Sequence, residues 1–181
     1  MPTEINLLNK SSLRERDLFR MARIIEPIFS APVGLERADL DLATAYDASR
    51  NQSNSTALLA QILQGHEDPS RKRIAIVDVD LYIPVLTFVF GEAQLNGTAA
   101  IVSTHRLSNQ FYGLPRNHAL TLERLQKEVV HELGHTFGLY HCHQFECVMR
   151  SSTYVEEIDM KRLYPCRACS EALGAAQPLS V

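Results

Sequence analysis

The sequence predicts an α+β fold built on a mixed sheet, followed by a small lobe with no sheet of its own. Three observations carry that expectation. Apolar runs of strand length alternate with helical patterns early in the chain, and an Asn96-Gly97 hairpin signal then breaks the alternation. A stripe at helical spacing follows, made of Leu122, Leu125, Val129, Leu133 and Phe137. Beyond Gly138 too little chain remains for another sheet.

The elements follow in order. Ile5 to Leu8 is a short apolar run and reads as the first strand. Ser11 or Ser12 can cap a helix with Leu13, Phe19 and Ile24 among its apolar positions, and Pro27 should end it near Ile25. Its arginines (Arg14, Arg16, Arg20, Arg23) are interleaved with Glu15 and Asp17, as on a solvated face. Leu40 to Tyr46 alternates enough to be a second strand, and Asn54 to Gln64 reads as a helix ended by Gly65 and Asp68-Pro69. Arg73 to Val79 is a β-branched run that should be a buried strand. Thr87 to Phe90 and Ala99 to Ser103 are the next strands, on either side of the hairpin signal. Residues 104 to 120 read as a loop, and Thr121 should cap a long helix reaching Leu139. A last helix is expected near Glu156 to Leu163, with the final dozen residues frayed.

The long helix carries the chemistry. Residues 131 to 141 read His-Glu-Leu-Gly-His-Thr-Phe-Gly-Leu-Tyr-His, which fits H-E-x-x-H-x-x-G-x-x-H, a zinc-protease signature. His131 and His135 are one helical turn apart and project from one face, so two imidazoles can share a metal. Glu132 leans to the side of that metal, where a general base for a metal-bound water belongs. Gly138 permits a left-handed exit that brings His141 back as a third ligand. Three nitrogens leave one tetrahedral corner open, as in a catalytic zinc site.

All four cysteines follow this motif: Cys142, Cys147, Cys166 and Cys169. Two close pairs separated by a loop are the usual grip of sulfur on one structural zinc. Two disulfides are the alternative, but the stretch from Met1 to Lys10 lacks the basic region and apolar core of an export signal. Two zinc ions per chain are therefore expected. Because His141 and Cys142 are adjacent, the sulfur site would stiffen the segment that carries the third imidazole.

Composition narrows the partners. At 181 residues, 45% of them hydrophobic and 22% charged, the chain suits one globular domain. The expected division is a sheet-and-helix part over 1–140 and a four-cysteine part over 141–181. A net charge of −3 and a pI near 6.2 argue against nucleic acid, as does the balanced charge between Cys142 and Cys169. No run is long and apolar enough for a membrane span, so a cytoplasmic monomer is the expectation.

The long histidine motif followed by Met149 resembles the metzincin clan of zinc peptidases, and the four cysteines narrow the resemblance to archaemetzincins. It implies a mixed metzincin-like sheet with an antiparallel edge strand, Phe88 to Ala93, as the upper rim of a cleft above the metal helix. It also implies Met149 in a tight turn beneath the zinc. Some metzincins have a tyrosine two residues after that methionine; here the position is Ser151, which leaves Tyr154 and His143 as weak substitutes. The expected activity is hydrolysis of a peptide or small protein, small peptides from their amino end being preferred. Phe111 and Tyr112 either line a substrate pocket or pack. The competing readings are a catalytically silent two-zinc adaptor and a zinc hydrolase acting on another amide.

Overall fold

The computed structural model describes residues 3–64 and 68–176. Along the chain come β1 (Glu4–Lys10), α1 (Glu15–Phe29), β2 (Val33–Arg37), α2 (Leu42–Ala45), β3 (Tyr46–Asp47), β4 (Gln52–Asn54) and α3 (Ser55–Leu63). Then follow β5 (Arg71–Val77), β6 (Leu81–Tyr82), β7 (Gly91–Ala93), β8 (Ala99–Ser103), α4 (His118–Thr136), α5 (Val155–Asp159) and α6 (Arg167–Ala176). The main sheet has the order β2-β1-β5-β8-β7. Its first four strands are parallel, and β7 closes the edge antiparallel to β8. A smaller sheet, β3-β4-β6, lies beside it. Among the described residues no helix is long and apolar enough to cross a membrane.

Period-two alternation builds a core on each face of the sheet. Ile5, Leu7, Ile74, Ile76, Ala100 and Val102 meet Met21 and Ile25 of α1 and Leu125, Val129 and Leu133 of α4. Leu8, Ala75, Val77, Ala99 and Ile101 meet Leu58, Leu59 and Ile62 of α3. Each of the larger side chains so buried contributes roughly 1.5–3 kcal/mol. The expected stripe of α4 is wholly buried, and it fixes which helix face is left for the histidines.

Several expectations need correction. Leu40 to Tyr46 is no strand. Asp41 accepts hydrogen bonds from the amides of Ala43 (3.0 Å) and Thr44 (3.4 Å), and this cap winds α2 instead. The partner of β1 on that side is β2, a half-exposed edge. Proline does not end α1 near Ile25. Pro27 lies inside the helix, which runs on until Phe29 stacks on Phe137 at 4.9 Å and Ser30 turns left-handed at φ 48°. Neither Ser11 nor Ser12 caps α1, whose cap position is Arg14.

Further along, Asn117 caps α4 by accepting from the amide of Leu120 at 3.1 Å, so the helix starts before Thr121 and stops at Thr136. Residues 105–107 and 109–112 of the expected loop form two 3₁₀ turns. Thr87 to Phe90 gives only an isolated bridge between Val89 and Leu81. The hairpin turn pairs Ala93 with Ala100 and Gly91 with Val102, and Phe90 accepts from the amide of Ser103 (2.9 Å), which leaves Thr87 to Val89 beyond the end of β8. In the last lobe α5 stops at Asp159, and α6 occupies much of the tail expected to fray. Gly65 and the rest of that tail lie outside the described residues.

Candidate active site

The end of α4 shapes the site. Gly138, at φ 90°, donates its amide to the carbonyl of His135 (2.9 Å), and Leu139 donates to that of Gly134 (2.9 Å). This is a left-handed helix stop of the Schellman type. It aims the carbonyl of Leu139 at Nδ1 of His135 (2.7 Å) while the chain turns back to His141. The hairpin loop fixes the same helix end: the amide of Asn96 donates to the carbonyl of His135 (2.8 Å), and Lys72 Nζ reaches the carbonyls of Gly97 (2.7 Å) and Thr136 (3.0 Å). His131 is anchored from the opposite side, its Nδ1 lying 2.8 Å from the carbonyl of Val148.

A carbonyl oxygen only accepts, so Nδ1 of His131 and of His135 carries the proton and each Nε2 presents a lone pair. Those two Nε2 atoms lie 3.1 Å apart. Two lone pairs at that distance repel unless a cation sits between them. The tetrahedral edge for zinc–nitrogen bonds is roughly 3.3–3.4 Å, close to what is observed. One ligand atom from each of His131, His135 and His141 falls within 4.8 Å of the others. Burial pushes all three imidazoles below their ordinary pKa, most strongly His131, which keeps them neutral as metal binding requires.

The thiols pass the same test. Cys142 and Cys166 lie 3.7 Å apart and Cys147 and Cys169 3.8 Å apart, sulfur to sulfur. A disulfide is about 2.05 Å long, whereas the edge of a zinc–sulfur tetrahedron is roughly 3.8 Å. All four cysteines are free, and their sulfurs lie within 4.8 Å of one another. Backbone donation draws the Cys166 thiol down to about 7, whereas burial pushes Cys147 and Cys169 up. The unequal thiols suit a cation that would hold all four as thiolates. The amide of Cys142 donates to the carbonyl of Met149 at 2.9 Å, so this cluster is tied to the turn that also anchors His131.

A cavity of about 390 Å³ opens above the three imidazoles. Its walls are Leu86 to Ala93 on one side and Ser151 to Thr153 on the other, with Glu128 and Glu132 on the floor beside the histidines. Glu132 is 5% exposed. Burial raises its carboxyl well above the ordinary range, and Glu128 and Glu92 raise it further. A dication at the imidazoles would pull it back.

Two glycines that sequence reasoning did not single out make room here. A Cβ on Gly91 would stand 2.7 Å from Glu132 Cγ and from the backbone oxygen of Ile101. A Cβ on Gly134 would collide with the sulfur of Met149, which is fully buried under the helix between the ligands. Gly134 stood inside the histidine motif, in a position the pattern leaves free; Gly91 carried no local signal. Glu128 was also missed, although it lies one turn before His131 on the same helix face.

Of the weaker candidates, Ser151 lines the cavity. Tyr154 and His143 are exposed and away from it. Phe111 and Tyr112 are absent from its walls as well: they pack edge to face at 4.9 Å, with Arg106 over Phe111. Phe88 to Ala93 does form the rim, but only Gly91–Ala93 is a strand.

Residues 31–175 match the model of peptidase family M54. The archaemetzincin of Thermococcus kodakarensis is 42% identical over 131 residues, 72% of this chain and 70% of that protein. The crystal structure of the Methanopyrus kandleri archaemetzincin superposes with a TM-score of 0.83 at 34% identity, covering 97% of this chain and 95% of that one. A zinc-dependent peptidase from Methanocorpusculum labreanum superposes at 0.82 with 29% identity, covering 93% and 99%. The chain therefore belongs to peptidase family M54, the archaemetzincins, and is a metallopeptidase.

Proposed function

We propose that the chain hydrolyses peptide bonds at a zinc ion held by His131, His135 and His141, with Glu132 as the general base. A second zinc, held by Cys142, Cys147, Cys166 and Cys169, would be structural. The observation that carries the reading is the pair of imidazole lone pairs facing each other at 3.1 Å, each fixed by a carbonyl behind it. Zinc bound there would supply a Lewis acid that polarises a carbonyl and lowers the pKa of water toward neutrality.

The protein's own groups do the rest. Glu132 accepts a proton from the attacking water and returns it to the departing amine. Its place on the cavity floor beside the imidazoles supports that role. Met149 and Gly134 support the ligands from below. Among the described residues strand β7 pairs only with β8, so its outer edge can bind an extended peptide backbone. A cavity of about 390 Å³ over the imidazoles suits small peptides, the chain acting as one catalytic domain with its cysteine lobe from 141 onward.

The test compares the zinc-loaded protein with Glu132→Ala on a broad peptide library. Cleavage should fall by about 10²–10⁴-fold in the variant with its zinc content unchanged. A parent protein that cleaves no peptide would favour a two-zinc binding protein instead.

A further inference from the structure

Thr87 to Val89 line the cavity but lie beyond the end of β8, and among the described residues they have no strand ladder, only the bridge from Val89 to Leu81. Side chains hold this wall instead. Arg50 donates to the carbonyls of Leu86 (2.9 Å) and Thr87 (3.3 Å), and Gln52 Nε2 donates to that of Thr87 (3.0 Å). The same nitrogen donates to Asp80 Oδ2 (3.0 Å), and Asp80 takes both arms of Arg106, at 2.6 and 2.7 Å. The guanidinium carbon of Arg106 then lies 4.2 Å from the ring centre of Phe88 and 4.6 Å from that of Phe111. Phe90 meets Phe88 edge to face at 5.3 Å. A planar fork bound at two points keeps little freedom of its own, so a ring stacked on it keeps little either.

A wall fixed before the ligand arrives gives more net affinity than one that must order on binding. What this wall offers is apolar surface: none of Leu86 to Phe90 is charged. The acidic groups of the same cavity lie elsewhere in it and have neighbours of their own. Glu92 accepts from Ser55 and Thr56, Glu128 faces Lys161 at 3.6 Å, and Glu132 stands beside the imidazoles. Reach sets the distance from the chemistry. Phe88 precedes Gly91, the residue that leaves room for Glu132, by three positions, at most about 11 Å of chain. An extended peptide covers that with about three residues, so the side chain that meets Phe88 is within about three residues of the cleaved bond.

We propose that Phe88 is a specificity-determining residue that takes an apolar side chain of the substrate, aliphatic or aromatic, and that Arg106 is the positioning residue that holds its ring. This rests on the peptidase reading above.

The experiment gives the zinc-loaded protein peptides varied at each position flanking the cleaved bond. Binding of the same peptides to Glu132→Ala is read in parallel by fluorescence polarisation. At one position Leu, Met or Phe should exceed Ala and Gly by at least about tenfold in kcat/KM and in affinity. Phe88→Ala should bring the apolar peptides down to about the level of the Ala and Gly peptides, with the zinc content kept. Arg106→Met should lower kcat/KM for the same apolar peptides by about three- to tenfold by raising KM, whereas a general loss of fold would lower every peptide alike through kcat. Arg106→Lys keeps the charge without the planar fork and should lose as much. In the Phe88→Ala background Arg106→Met should cost nothing more, as expected of two residues that act through one contact. Arg106→Met strands Asp80, so Arg106→Met with Asp80→Asn is made beside it, with the same expectation. No apolar preference in the parent, a preference that Phe88→Ala leaves in place, or an Arg106 effect that is absent or adds to that of Phe88→Ala overturns the proposal and leaves the peptidase reading intact. Apolar-selective binding with no cleavage of any peptide overturns the peptidase reading alone, and neither binding nor cleavage overturns both.

Discussion

The sheet-and-helix part and the cysteine lobe are held together by different physics. In the first, strands β1, β5 and β8 are covered on both faces, and their inward residues are almost entirely buried. In the lobe after Gly138, Leu139, Val148, Met149, Val155, Ile158 and Leu173 are the buried aliphatic side chains among the described residues, while Tyr140, Phe145, Tyr154 and Tyr164 stand exposed. Those buried side chains extend the core of α4 and the sheet, and polar contacts join the lobe to α4 as well. Arg124 grips Asp159 through two 2.7 Å contacts, and Lys127 reaches the carbonyl of Ile158 at 3.2 Å. The four thiols gather the rest. A fold with an apolar core can stand without metal, whereas a lobe gathered by thiols needs its ion. The candidate site lies on the seam, with two imidazoles from α4 and the third from the first residues of the lobe.

The largest effect should come from the sulfur cluster. Under the two-zinc proposal, Cys166→Ala should lose one zinc ion and expose the segment after residue 141 to protease, while the sheet and α4 remain folded. Structural zinc supplies about 10–16 kcal/mol of apparent binding energy to such a lobe. Metal analysis with limited proteolysis reads this directly; uniform unfolding of the whole chain would erase the contrast between the two parts.

A smaller effect tests the seam. Gly91→Ala drives a Cβ against Glu132 and against the backbone of Ile101, which cannot move aside as a flexible side chain would. Peptide hydrolysis should fall by about 10–100-fold with zinc content kept, and stability should drop by about 1–3 kcal/mol. Full activity in this variant would mean that Glu132 does not need its present position.

The smallest effect belongs to the sheet-and-helix part alone. Asp17 joins α1 to α4 through Arg14 (3.0 Å) and His118 (3.2 Å). Burial by itself would raise its carboxyl, but the hydrogen bonds from Arg14 and then His118 outweigh it and hold the pKa below the ordinary value. A depressed carboxylate stabilises the fold above its unfolded pKa of about 3.9 and stops doing so as pH falls through the lower folded value. Asp17→Asn should therefore cost up to about 1 kcal/mol at pH 7 and nothing once the pH is below that value, read by thermal melts of the helical signal. A penalty that persists unchanged in acid would rule the ion out as its source.

Local patterns were legible in the sequence and distant meetings were not. The spacing of His131, His135 and Gly138 is a property of one helix and its exit, and the stripe from Leu122 to Phe137 belongs to the same helix, so both could be read along the chain. The strands at Ile5 and Arg73 showed as apolar runs because both their faces are covered. Strand β2 did not, since its half-exposed edge ends in Glu36 and Arg37 and needs no alternation. Asp41 hid a helical turn inside an alternating stretch. At the site, the room Gly91 leaves for Glu132 and the pairing of Glu128 with Lys161 join residues far apart in sequence. No local pattern records them.

The central claim is that His131, His135 and His141 hold one zinc ion while the cysteines hold another. Metal content of the purified chain and of His131→Ala, with circular dichroism as a check on folding, tests it most directly. Two zinc ions per parent chain, and one in a variant that stays folded, is the predicted result. A folded His131→Ala chain that still carries both ions, or a parent chain that binds only one, would contradict it.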